Sequence, residues 1–234
     1  MERRSVLTAA IWLAVFAVSA TGPAPGYAGE SREERVNLGL KEALELGTGK
    51  AVDLTGRVDG YFKNKAIKLQ VPPQLRSLDQ VLRAVGKGDE VDDLVLAMNR
   101  AAERAVPAAR PIFREAIREM TFADAGKILT SKDAAATAYF KEKATGRLTR
   151  AFRPIVAQAM DEEAVTHRYQ ELLDRVPVLP FGGKPSLDLE KYVVSKSLDG
   201  LFYMVAQEEK EIRKNPAARV TNLLQEVFGR ASKR

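Results

Sequence analysis

The chain has 234 residues, with 37 Lys and Arg against 31 Asp and Glu, a net charge of +6, one histidine and no cysteine. The missing cysteines exclude disulfides, thiol catalysis and thiolate metal sites, and the lone His167 excludes zinc centres built on several imidazoles. The charge is basic but well mixed in sign, without the concentrated basic patch and interleaved aromatics of a nucleic-acid binder. At the start, Glu2-Arg3-Arg4 precedes an apolar run over 6–20, and a Gly/Pro-rich stretch ends in Gly26-Tyr27-Ala28. That is the layout of a secretory signal peptide over 1–28, with an apolar run shorter than the roughly 20 residues a membrane span needs. Cleavage after Ala28 places the mature chain in a bacterial periplasm, leaves it at +5, and removes its only tryptophan, Trp12. Such a chain makes at most peripheral membrane contact.

Residues 29–234 read as a single all-α, bundle-like domain of about eight helices. Val36, Leu40, Ala43, Leu44, Ala51 and Leu54 recur at helical spacing from about Arg35, with Gly47 and Gly49 inside the pattern. The pattern fits one long helix or two short ones meeting at Gly47-Thr48-Gly49. Gly49-Lys50 is not a phosphate loop, because Leu44 and Ala51 stand where that motif needs Gly and Ser or Thr. Asp59-Gly60-Tyr61 marks a turn, and 66–71 (AIKLQV) predicts a short extended segment lying across helices, with no second strand to pair with. Ser77 is the expected cap of a short helix ended by Gly86 and Gly88.

The centre of the chain is 91–120, where Val91, Leu94, Val95, Met98, Ala102, Ala105, Ala109, Phe113, Ala116 and Met120 form one apolar stripe. Pro107 and Pro111 predict a bend in it. Asn99 and Glu103 flank the stripe beside Arg100. They fit either a hydrogen-bonded pair at the edge of the core or the polar lining of a cleft. Beyond it, Thr121-x-x-Asp124 predicts a capping box. Ser131 or Asp133 caps a helix carrying Ala138 and Tyr139, Thr145 opens another that bends near Pro154, and a further helix reaches about Arg175. Residues 176–187, VPVLPFGGKPSL, form a long loop and a candidate subdomain boundary. A long helix follows Asp188, and Asn215-Pro216 starts a last one with Val220, Leu223, Leu224 and Val227 inward.

The chemical inventory is thin. His167 has Glu163 and Glu171 a turn away, the setting of a surface histidine in a salt-bridged helix. No Gly-x-Ser-x-Gly elbow accompanies any serine. A carboxylate site assembled by folding from Asp59, Asp92, Asp93, Glu103 and Asp133 stays open. No catalytic residue, metal ligand or cofactor is assigned.

Several runs, GLKEALELGTGKAV (39–52), DGYFKNKAIKLQVP (59–72), MNRAAERA (98–105), FADAGKIL (122–129), DAAATAYF (133–140) and SLDGLFYMVAQEEKEIRKNPAARVTNLLQEVFG (197–229), span nearly the whole mature chain. Together they resemble the bacterial family catalogued as domain of unknown function 4197. The resemblance implies an exported, mostly helical protein and carries no activity. The polar and aromatic residues of these runs, Asp59, Tyr61, Asn64, Asn99, Arg100, Glu103, Asp133 and Tyr139, are the candidate binding residues. The leading expectation is a non-enzymatic periplasmic binding or interaction protein, taking an apolar ligand or another envelope protein. The alternative is a hydrolase of envelope material working through a carboxylate pair. A third reading is an envelope-associated protein held by basic residues, including Arg213, Lys214, Arg219, Arg230, Lys233 and Arg234.

Overall fold

A computed structural model describes residues 31–131, 134–162, 167, 171 and 188–214. The signal segment, Asp133, most of the helix expected to reach Arg175, the 176–187 loop and the helix expected from Asn215 lie outside them. The described residues form no strand, and their elements in order are α1 (Arg32–Thr55), α2 (Arg76–Ala84), α3 (Gly88–Ala105), α4 (Ala109–Arg118), α5 (Phe122–Thr130), α6 (Ala135–Glu162) and α7 (Leu189–Lys214). The all-α expectation holds, and among the described residues one long helix stands at one place where two were expected. Residues 135–162, split at Thr145 in the sequence reading, are one helix that continues through Pro154.

The apolar stripe of 91–120 is the middle of the molecule. Met98, Ala102, Ala105, Ala109 and Ala116 have no exposed surface, and Phe113 only a trace. The prolines divide the stripe as expected: Val106–Ala108 is a 3-10 turn with Pro107 near its start, and α4 begins just beyond. Pro111 falls in the first turn of α4, where a backbone N–H would lack an intrahelical acceptor anyway, so it removes no bond. α3 packs on α6 and α7, α4 on α1 and α6, and α6 and α7 on each other. Alanines along α3 and α4 let the helices come close, while Phe113 meets Phe140 and Phe202 edge-on at centroid distances of 5.2 and 6.3 Å.

Local rules explain most helix ends. α2 closes on Gly86 at φ 75, with Lys87 N–H on Leu82 O and Gly86 N–H on Arg83 O, a Schellman pair. Thr121 and Asp124 form the expected capping box. Ser77 does not cap α2, since a 3-10 turn over Pro73–Leu75 leads directly into the helix and leaves Ser77 inside it. Gly47 and Gly49 do not break α1. A Cβ at Gly47 would lie 3.2 Å from Ile212 Cδ1, so the glycine admits the close passage of α7.

Candidate functional site

The link from Gly56 to Pro72 is mostly turns, yet much of it is buried, so its main-chain groups need partners. It turns sharply at Asp59, whose φ of 67° is left-handed. The next position has no room for a side chain: a Cβ at Gly60 would lie 2.6 Å from the carbonyl oxygens of Leu54 and Thr55. Tyr61 is thereby turned into the core. Its ring lies on Gly200 of α7, where a Cβ would sit 2.5 Å from Cε1, and its hydroxyl donates to Ser197 O at 2.5 Å. Burial above all, and then the Glu103 charge, push the Tyr61 phenol far above its ordinary range.

α3 supplies the partners of this link. Glu103, 3% exposed, accepts the N–H groups of Tyr61 and Phe62 on Oε1, at 3.0 and 3.1 Å. Its Oε2 accepts from Arg100 Nη1 at 2.6 Å, and Arg100 Nη2 donates to Asp59 Oδ1 at 2.6 Å. Lys63 reaches the other Asp59 oxygen at 2.7 Å. Hydrogen bonds from Lys63 and then Arg100 hold the Asp59 carboxyl below its ordinary range. One turn earlier, the amide of Asn99 takes the place of a neighbouring strand. Its Oδ1 accepts Leu69 N–H at 2.9 Å, and its Nδ2 donates to Leu69 O at 3.0 Å. This is how a short unpaired segment lies across the helices, but it covers 68–72 and not the expected 66–71, because Ala66 and Ile67 belong to a turn in which the N–H groups of Ile67 and Lys68 donate to Asn64 O.

Six candidate residues therefore share the link and its seat on α3, and Tyr139 does not. Asn99 and Glu103 are buried beneath the link instead of flanking the stripe at its edge. Asn64 shapes the turn, accepting from Ala66 N–H at 3.1 Å and donating toward Met204 Sδ at 3.7 Å. Tyr139 belongs elsewhere: its hydroxyl donates to Ala116 O at 2.8 Å, tying α6 to α4. Asp133 lies outside the described residues. Of the other acids considered, Asp92 pairs with Arg83 on α2. His167 is exposed and pairs with Glu171 at 3.4 Å. Among the described residues, no three His, Asp or Glu side chains are placed to hold a metal ion. None of the described helices is long and apolar enough to cross a membrane.

A second buried carboxylate escaped the sequence reading. Glu209 on α7 accepts the N–H groups of Ala136 and Thr137 and the Thr137 hydroxyl, capping α6 from another helix. Arg213 donates to Glu209 Oε1 at 2.9 Å and to Ile128 O at 2.9 Å. It is therefore a structural tie between α7 and the end of α5, not part of a free basic surface. The Glu209/Arg213 spacing of four was the only local signal.

Chemically, Glu103 and Glu209 do one thing: each presents a charged acceptor to two main-chain donors and a guanidinium. Next to the first of them a surface groove of about 470 Å³ opens between Val58 on the link and Leu96, Arg100 and Arg104 on α3. Val58 is 73% exposed on its lip. A family model described as a protein of unknown function, DUF4197, matches residues 30–229. No curated protein and no solved structure matches the chain.

Proposed function

Because the chain belongs to the family of unknown function DUF4197, and membership names no reaction, we propose an exported, non-enzymatic interaction protein of the bacterial periplasm. Its partner is another envelope protein, held in the groove between the 56–63 turn and α3. The observation that carries this reading is the use made of the polar residues. Asp59, Arg100 and Glu103 hold the turn in place, and the turn in turn presents Val58 to solvent beside Leu96. An exposed β-branched apolar residue on a pinned loop is a contact suited to a protein partner, because its ordering entropy is already lost before binding.

The hydrolase alternative needs one carboxyl that carries a proton near neutral pH. Asp59 is instead held below its ordinary range, and the Arg100 guanidinium lies between it and Glu103.

The test is a photo-crosslinking residue placed at Val58 in living cells, with Val85, another exposed valine, as the control. The expected result is one discrete adduct at Val58 that Val85 does not give. Identical adducts at both positions, or none at Val58, would overturn the reading. Export is tested separately. Intact mass of envelope material is expected to start at Gly29, with tyrosine emission and no tryptophan emission.

A further inference from the structure

A second groove, also of about 470 Å³, runs along the 68–72 segment, lined among others by Lys68, Gln70, Arg76, Tyr192, Lys196 and Tyr203. It shares no described residue with the groove beside Val58. Asn99 serves only one side of the segment. An extended residue points its own N–H and C=O to one side, and its two neighbours point theirs to the other. Leu69 gives both of its groups to Asn99, so Gln70 turns its N–H outward and Lys68 its C=O. The outward Gln70 O accepts from the Tyr192 hydroxyl at 3.0 Å. Lys68 O and Gln70 N–H have no partner among the described residues, and Gln70 is exposed.

We propose that this groove takes an extended, acidic segment of a partner protein, added as a strand along Lys68–Gln70. The first support is the pair of unused main-chain groups. One acceptor and one donor flank Leu69, and a single residue of an incoming parallel strand answers both with its own N–H and C=O. Asn99 makes the same two bonds from the opposite side with a side-chain amide. The segment is held from that side before any partner arrives, so little ordering entropy remains to be lost.

The second support is charge. Lys68, Arg76 and Lys196 line the groove, against Asp199 as the acid on its wall. Asp199 is taken by Lys196 at 2.8 Å. Neither Lys68 nor Arg76 makes an ion pair among the described residues; the Lys68 ammonium lies over the Phe62 ring at 4.1 Å. Two cations are thus left for a ligand, and carboxylates at alternate positions of a strand suit them. The chain's own net charge of +6 argues against a second copy as the occupant. The third support is Tyr203, 45% exposed on the α7 wall, an aromatic face for the apolar positions between the carboxylates.

The probe is a blocked octapeptide alternating Glu and Val, titrated into the purified protein and followed by amide NMR. Saturable binding is expected, with the largest shifts at Gln70 and Tyr203, while the Lys and Val counterpart does not bind. Gln70→Pro removes the free N–H at no cost in native hydrogen bonds, and Leu69 is already extended, as a residue before proline must be. It is expected to weaken binding about tenfold. A probe N-methylated at alternate residues cannot donate to Lys68 O, and is expected to lose about as much without any change to the protein. Arg76→Gln is expected to cost about threefold, and Arg150→Gln, on the exposed face of α6, nothing. Unchanged affinity in Gln70→Pro or for the N-methylated probe would overturn the proposal, as would equal binding of the Lys peptide or no saturable binding at about 1 mM. Shifts centred on Val58 and Leu96 would assign the probe to the first groove and overturn it too. So would concentration-dependent shifts at Gln70 without probe, which would assign the site to a second copy.

Discussion

Glu103 places one oxygen on two main-chain N–H groups and the other on a guanidinium, all within a site that excludes most water. Glu103→Ala leaves three donors without an acceptor. We expect a loss of about 3–5 kcal/mol, read as a lower urea midpoint by far-UV circular dichroism. Asp59 allows a sharper experiment, because asparagine also tolerates its left-handed backbone. Its carboxyl is held below the ordinary value of 3.8 by Lys63 and Arg100. A depressed folded-state pKa means that the contribution is present above about pH 4. It fades as pH falls through the lower folded value. Asp59→Asn should therefore be less stable than the parent above about pH 4 and converge with it in stronger acid. A constant gap across the acid range would assign the effect to geometry alone. None of this was legible in the residues themselves. Asn99, Arg100 and Glu103 stood out as polar residues beside an apolar stripe, but Asn99 and Glu103 bond main-chain groups 30 to 42 positions away, Arg100 reaches Asp59 from 41 positions away, and a main-chain N–H has no letter in the sequence.

Among helices and turns, what the sequence disclosed tracks how local the interaction is. The Thr121/Asp124 capping box and the Gly86 stop lie within a few residues of the ends they serve, and both were legible. Capping of α6 by Glu209, 72 to 73 positions away, was not. The neighbouring residues Ser131 and Asp133 drew the assignment because capping is ordinarily a local matter. Ser131 instead ends α5, its N–H bonded to Lys127 O. Two glycines make a test of backbone reasoning. Gly86 has nothing within 4 Å of its Cβ position, and Gly146, on the exposed face of α6, has only the tip of Arg150 at 3.8 Å. Sterically, then, alanine fits at both. Gly86 nonetheless holds φ 75, so Gly86→Ala is expected to destabilise by about 1–2 kcal/mol. Gly146→Ala, in an exposed helix interior, is expected to stabilise by about 0.5–1 kcal/mol. Paired thermal melts decide it, and melting shifts of the same sign would refute the backbone argument.

At the scale of the molecule, the all-α class and the central stripe were legible because burial repeats every three to four residues, and periodicity survives without knowledge of the partner. Which helix meets which was not legible, since alanine and leucine stripes fit many neighbours equally well. Gly47 and Gly200 resolve part of that ambiguity after the fact. Each marks where a side chain from elsewhere, Ile212 or the Tyr61 ring, presses on a helix backbone. Gly200→Ala should therefore overpack the Tyr61 seat and lower stability by about 1–3 kcal/mol, measured by calorimetry. The two carboxylate clamps carry a further consequence, one of timing. Glu103 and Glu209 each join chain segments that meet only after large loops have closed, and each side of a clamp is a desolvated liability until the other arrives. Helices can form and collapse before either clamp is made. The clamps therefore belong to the native state far more than to the barrier that precedes it. Their removal should leave the refolding rate nearly unchanged and speed unfolding by orders of magnitude. The protein's endurance once folded, more than its ability to fold, then rests on two glutamates.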